Sequence, residues 1–112
     1  MTTVHPALSY ELYPPRSHAS CDSLLKTIAE LEQTNPDYVS VTYSGDAQRR
    51  QKTLALLDHL VHETSLNPLA HLICVRHSVA DLERSVRLIL GLGVRGFLAL
   101  RGDIPPENTR PL

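Results

Sequence analysis

The spacing of short apolar segments constrains the fold of this chain more than any other feature of its sequence. Four segments rich in apolar or β-branched residues begin near residues 9, 38, 70 and 96, so neighbouring segments start 26 to 32 residues apart. Three longer segments lie between them, and there leucine, isoleucine and valine recur at helical spacing. This alternation predicts βαβ units and therefore a parallel sheet.

We predict four strands, over residues 9–13, 38–43, 71–75 and 97–100. A (β/α)₈ barrel uses about 250 residues for eight strand–helix units, or roughly 31 residues per unit. The observed spacing matches that value, but the 112 residues provide only four strands. We therefore predict that residues 1–112 form a single partial domain, the N-terminal half of a (β/α)₈ TIM barrel with parallel strands. A small doubly wound α/β sheet is the alternative.

A glycine-rich phosphate loop would favour the doubly wound alternative. The letters G-x-G-x-x-G occur once, at residues 91–96, but they precede a predicted strand instead of following one, and G-x-x-x-x-G-K-[S/T] is not found. Gly91 and Gly93 follow a helical segment rather than a strand, so we interpret them as a helix C-terminus.

Helix starts are predicted from capping residues. The first helix is expected to begin at Ser20 or Asp22, whose side chains suit an N-cap. The third helix is expected to begin at Ser78, with Asp81 at the spacing of a capping box. A polar loop over residues 44–50 is expected before the second helix.

The composition narrows the possible partners and the cellular location. Apolar residues make up 42% of the chain, charged residues 21%, and the formal net charge is −1. This balance gives no electrostatic reason to expect nucleic acid or an anionic membrane as a partner. No apolar segment approaches the ~20 residues of a membrane helix, and no signal segment is apparent. Cys21 and Cys74 are far apart, so we expect reduced thiols and a cytoplasmic protein.

Strand alternation predicts a polar inner face. Val39 and Val41 share one face of the second strand, and Thr42 lies on the other, as Glu11 does on the first strand. Helices cover the outside of a barrel, so Glu11 and Thr42 are expected to point inward. Burial there favours a protonated carboxyl group, which suits a proton donor. Considered alone, Glu11 also fits a solvent-facing strand position, and residues 101–103 fit an ordinary turn.

Six histidines raise the question of a metal site. His59, His62 and Glu63 match neither H-E-x-x-H nor H-x-x-E-H, so we predict a solvated helix edge and no metal. His71 begins the third predicted strand and fits a hydrogen-bonded core histidine. Cys74 fits a small buried apolar residue.

Four motifs lie at the predicted strands: SYELYPP at residues 9–15, VSVTY at 39–43, HLIC at 71–74 and LALRGDIPP at 98–106. Together they resemble the 5,10-methylenetetrahydrofolate reductase family, whose patterns are SFEFFPP, VSVTYGA, HLTC and ALRGDxPP in the same order. The resemblance extends over residues 8–106. It implies a (β/α)₈ barrel that holds FAD at the carboxyl ends of its strands.

The resemblance also implies an oxidoreductase activity with named site residues. In that family NAD(P)H reduces the flavin, which then reduces 5,10-methylenetetrahydrofolate to 5-methyltetrahydrofolate, in one-carbon metabolism and methionine biosynthesis. Glu11 matches the proton donor for opening of the folate ring, and Asp103 matches the catalytic aspartate beside flavin and folate. The implied cofactor-binding positions are Thr42, Tyr43, Gly45, His71, Leu100, Arg101, Gly102 and Asp103.

Departures from the family pattern leave three interpretations open. Ser44-Gly45 stands where the family has Gly-Ala, Ile73 replaces a threonine, and the second half of the barrel is absent. The chain is part of a longer reductase, or a non-catalytic half-barrel that binds flavin or a partner and pairs with itself or with a separate second half, or an unrelated small α/β domain. We expect the 112-residue chain alone to be inactive. No motif distinguishes NADH from NADPH.

Overall fold

The structure, a computed structural model, describes residues 7–43, 46–74 and 77–102. Strands and helices alternate along the chain as predicted. They are β1 (Ser9–Leu12), α1 (His18–Glu32), β2 (Tyr38–Tyr43), α2 (Ala47–Glu63), β3 (Pro68–Ile73), α3 (Val79–Gly91) and β4 (Gly96–Leu100). None of the helices in these ranges is long and apolar enough to cross a membrane.

The four strands form one parallel sheet in the order β1-β2-β3-β4. Each strand therefore pairs with the next strand along the chain, which is the connectivity of half a (β/α)₈ barrel. A doubly wound sheet reverses its strand order at a switch point, and this sheet has no such reversal. The prediction of a half-barrel is confirmed.

The hydrophobic core lies between one face of the sheet and the helices. Five strand residues that point toward the helices are less than a tenth exposed: Leu12, Val39, Val41, Ala70 and Leu72. The helices contribute the buried residues Ile28, Leu56, Leu57, Leu60 and Ile89 to the same cluster. Removing these apolar side chains from water stabilises the layer by roughly 1.5–3 kcal/mol for each large side chain.

Strand β3 begins three residues earlier than predicted, at Pro68. A proline lacks the N–H that a central strand donates, but it is tolerated at the first position of a strand. Here Asn67, just before it, still joins the sheet, because its carbonyl oxygen accepts from the Val39 N–H at 3.0 Å. As a result, His71 lies in the middle of β3 and not at its start.

Helix α1 also begins earlier than predicted, at His18. Its N-cap is Ser17, whose hydroxyl oxygen accepts from the backbone N–H of Ser20 at 3.1 Å. The prediction of Ser20 or Asp22 as the cap was wrong because Ser20 supplies the capped N–H group. A serine at either position fits the sequence pattern equally well.

Helix α2 begins at Ala47, inside the region predicted to be a polar loop. Asp46 caps it by accepting from the Arg49 N–H at 2.8 Å. The first turns are polar, so their sequence shows little helical periodicity. Further along, the hydroxyl of Thr53 donates to the carbonyl oxygen of Thr42 at 2.9 Å and ties α2 to the end of β2.

Helix α3 has the predicted ends. The Ser78 hydroxyl oxygen accepts from the Asp81 N–H at 3.1 Å. At the other end, the N–H of Gly93 donates to Leu90, and Gly93 has a φ of 102°, a left-handed conformation that glycine adopts readily. Hydrogen bonds from the Ser78 hydroxyl and N–H, together with nearby Arg84, hold the pKa of Asp81 below its ordinary value of 3.8.

Replacement of Thr53 by valine is expected to destabilise the fold by about 1–2 kcal/mol, because the buried Thr53 side chain loses its hydrogen bond to the Thr42 carbonyl while its volume is kept. Urea unfolding followed by circular dichroism measures the change. Thr27→Val, at an exposed position of α1, is the matched control and should change stability by less than about 0.5 kcal/mol. Equal effects of the two substitutions would contradict the role of Thr53.

The capping of α3 should make stability depend on pH. Because the pKa of Asp81 is lower in the folded chain, the ionised carboxylate stabilises the fold at neutral pH, and this contribution disappears as the pH falls below 3.8. Asp81→Asn should therefore lower the melting temperature at pH 7, and the difference from wild type should close as the pH falls through the lowered pKa of Asp81. Glu30→Gln, an exposed charge change on α1, should show no comparable pH-dependent difference.

Candidate active site

Three polar side chains from three neighbouring strands meet on the face of the sheet opposite the core. Thr42 Oγ1 donates to Glu11 Oε1 at 3.2 Å, and His71 Nδ1 lies 3.6 Å from the same carboxylate oxygen. We call these three residues, Glu11, Thr42 and His71, the Glu11 cluster. The cluster lies near the carboxyl ends of β1 and β2, the end of the strands at which barrels hold their active sites.

The strand register explains why these residues come together. Glu11 pairs with Ser40, and Thr42 pairs with His71, so the three side chains follow a diagonal across β1, β2 and β3. Side chains alternate between faces, so the apolar neighbours of each of these residues point toward the helices. The predicted inward face for Glu11 and Thr42 is the face that the helices leave uncovered.

Exposure differs within the Glu11 cluster. The side chain of His71 is 12% exposed and that of Glu11 is 45% exposed. His71 is mostly buried, as expected for a core histidine, but it lies beside Glu11 and not among the core residues under the helices. A carboxyl group held by a hydroxyl and accessible on its other side can exchange a proton with a bound small molecule.

Apolar side chains occupy the other half of this inner face. The register places Leu98 opposite His71 and Leu100 opposite Ile73, so all four share one face. Leu98 is 37% exposed and Leu100 is 45% exposed. The inner face is therefore polar along β1 and β2 and apolar along β4, a division that the sequence reasoning did not identify. Extending the alternation rule to β4 would have found it.

The remaining predicted cofactor residues have different surroundings. Tyr43 is half-buried on the helix-facing side and packs against the core, so it does not join the Glu11 cluster. Arg101 is exposed after β4, and Gly102 has a φ of 87°, which fits the predicted turn. Gly45 and Asp103 lie outside the described residues, and their roles stay predictions.

Helix α2 carries the histidines that raised the question of a metal. His62 Nδ1 lies 3.0 Å from Asp58 Oδ1, one helical turn earlier on the same exposed surface. This contact is an ordinary helix-surface pair. Within residues 7–43, 46–74 and 77–102, no three potential metal ligands come together.

A pocket of about 400 Å³ lies between the β1–α1 loop and the start of α2. Three cationic side chains line it, those of Arg16, Arg49 and Lys52, together with Thr42 of the Glu11 cluster. The sequence reasoning missed this pocket. The concentration of basic residues over positions 49–52 is the signal that points to it.

Comparisons with known proteins identify the family of this chain. The family model for methylenetetrahydrofolate reductase matches residues 1–111. The 5,10-methylenetetrahydrofolate reductase of Escherichia coli K12 is 32% identical over 104 residues, which are 93% of this chain and 35% of that protein. The enzyme of the same name from Buchnera aphidicola of Schizaphis graminum is 30% identical over 100 residues, 89% of this chain and 34% of that protein.

The chain thus spans about a third of the length of the curated relatives that it matches. Within that third, the match extends over all four strands and the Glu11 cluster. The chain belongs to the methylenetetrahydrofolate reductase family.

Proposed function

We propose that this chain supplies four strands of a cytoplasmic, flavin-dependent reductase site. In this proposal NAD(P)H is the reductant, 5,10-methylenetetrahydrofolate the substrate and 5-methyltetrahydrofolate the product, within one-carbon metabolism and methionine biosynthesis. The observation that carries the proposal is the Glu11 cluster, a carboxyl group held on the inner face of a half-barrel in a chain of this family.

The inner face suits FAD, the cofactor that the family resemblance implies. The exposed apolar side chains of Leu98 and Leu100 offer a surface for a flat aromatic ring, next to the mostly buried His71. We assign binding of the cofactor to His71, Leu100, Arg101 and Gly102, with Thr42 at the nicotinamide side. Bound FAD supplies the hydride chemistry that amino-acid side chains lack.

Glu11 is the proton donor in this proposal. Its Oε1 is fixed by the Thr42 hydroxyl, and His71 lies on the same side, so both residues orient the carboxyl group. Opening the five-membered ring of the folate leaves a nitrogen that needs a proton, which a positioned carboxylic acid can deliver. Asp103, when it lies beside flavin and folate, would add a second carboxylate with a different role.

The exposure of Glu11 argues that four strands are not enough for turnover. With 45% of its side chain exposed, Glu11 faces water on the open inner face. A general acid works best where neighbouring groups exclude water and set its protonation state. We therefore infer that further strands must cover this face before the site becomes active.

Flavin titration tests the assignment of the cofactor site. We expect the chain to bind FAD, measured by the change in flavin absorbance or fluorescence. His71→Ala should weaken binding by about tenfold, since it removes a buried contact worth roughly 1.4 kcal/mol. Glu11→Gln should leave the affinity within about twofold because Glu11 acts on the substrate. The assignment fails when wild-type protein does not bind FAD, or when both variants lose binding equally.

Turnover tests the need for further strands. We expect no flavin-dependent oxidation of NADH by the purified 112-residue chain, followed by absorbance at 340 nm with free flavin subtracted. The expectation is contradicted if the wild-type chain oxidises NADH measurably, if Glu11→Gln keeps this activity and if His71→Ala abolishes it.

A second candidate function is a non-catalytic half-barrel that pairs with another copy of itself. The observation that favours it is the sheet itself: β1 pairs only with β2 and β4 only with β3, so both outer edges are open in the described part of the chain. Leu98 and Leu100 add exposed apolar surface next to the β4 edge. Open edges and apolar patches of this kind promote association.

Light scattering tests the pairing. We expect a particle of twice the 12.5 kDa chain mass, and Leu98→Asp should shift it to the monomer because a charge would be buried in the interface. Leu25→Asp on α1, which is 42% exposed, is the matched control and should leave the mass unchanged. A monomeric wild-type protein at all concentrations would exclude this candidate.

A further inference from the structure

The three cations of the pocket between the β1–α1 loop and α2 have no role in the proposed reaction. Its volume is about 400 Å³, and Pro14 and Pro15 form part of its wall. Arg16 reaches it from the loop, whereas Arg49 and Lys52 reach it from α2. No aspartate or glutamate of the described residues lines it, so the pocket concentrates positive charge from two separate elements.

Two basic residues elsewhere in the described chain have acidic partners close by. On α3, Arg84 pairs with Asp81 and Arg87 pairs with Glu83. Among residues 7–43, 46–74 and 77–102, no acidic side chain forms an ion pair with a cation of the pocket. The three cations of the pocket repel one another. In addition, Arg49 and Lys52 lie three positions apart on one helix, where two like charges destabilise the helix.

The helix dipole opposes the same arrangement. The N-terminal end of a helix carries partial positive charge, so basic side chains there are unfavourable and anions are favourable. Arg49 and Lys52 lie in the first two turns of α2, which has no acidic residue in its first turn, and the carboxylate of the N-cap Asp46 accepts from the Arg49 backbone N–H and offsets only part of this charge. Charge repulsion and the dipole therefore both predict that an anion in the pocket would relieve an unfavourable arrangement.

We propose that this pocket binds a phosphate group, free or as part of a phosphorylated small molecule. Two guanidinium groups and an ammonium group suit the charge and the several acceptor oxygens of a phosphate, and arginine binds phosphate in bidentate fashion. A single carboxylate carries too little charge to balance three cations.

The pocket is connected to the Glu11 cluster through one residue. Thr42 lines the pocket, and its hydroxyl donates to Glu11. A molecule whose phosphate lies among the cations can therefore extend its remaining part toward Glu11. Phosphate binding itself requires only the pocket, so it does not depend on the proposed reductase activity.

Isothermal titration calorimetry of the 112-residue chain with pyrophosphate tests the proposal. We expect binding at low ionic strength that weakens as sodium chloride is added, because salt screens exposed charges. Arg16→Gln and Lys52→Gln should each raise the Kd about fivefold, which corresponds to the loss of one exposed ion pair worth about 1 kcal/mol. The triple variant with Arg49→Gln added should not bind detectably. Unchanged melting temperatures in the absence of phosphate would show that the variants fold.

Arg87→Gln is the matched control, because it removes the same charge from the surface of α3 and should leave the Kd unchanged. Inorganic phosphate and adenosine monophosphate distinguish the source of the phosphate: equal affinities indicate the free ion, and tighter binding of the nucleotide indicates a phosphorylated ligand. The proposal is overturned by absence of pyrophosphate binding, by equal binding of citrate, or by an equal effect of Arg87→Gln. Failure of FAD binding alone would overturn the proposed function and not this pocket.

Discussion

The register of the parallel strands is the constraint on which the rest of the molecule depends. Val41 lies beside Leu12 on one side and Ala70 on the other, so all three point toward the helices and the core. The same register leaves Glu11 and His71 on the opposite face. A slip of one residue between β1 and β2 would bury the Glu11 carboxylate under α1 and expose Leu12. Core stability and site geometry are therefore set by the same pairing.

The sequence predicted those features that follow from alternation and order. Residues that alternate in strands reach fixed faces, so the inward direction of Glu11 and Thr42 could be predicted from the sequence alone. The linear strand order could be predicted as well, because the spacing of the strand–helix units matches a (β/α)₈ barrel, in which each strand pairs with the next. Both ends of α3 could be predicted, because Ser78 favours the start of a helix and Gly93 favours its end.

What the sequence did not predict depends on contacts between distant segments. Ser17 and Ser20 are equivalent as caps until the path of the chain after β1 is known. In the sequence, Pro68 predicts a break in the strand. Only the hydrogen bond between β2 and the Asn67 carbonyl shows that Pro68 lies at the start of β3. The cationic pocket joins Arg16 to Lys52 across two elements, and no linear pattern connects them. The roles of Gly45 and Asp103 stay predictions.

The two open edges of the sheet have a consequence for symmetry. In a parallel sheet the edges of β1 and β4 are different surfaces, so a copy that adds to one edge offers its other edge to the next copy. Such head-to-tail contacts are heterologous: they close into a ring when the curvature of the sheet brings the ends together and otherwise continue as a filament. The curvature of this four-stranded layer therefore determines whether association stops at two copies or propagates.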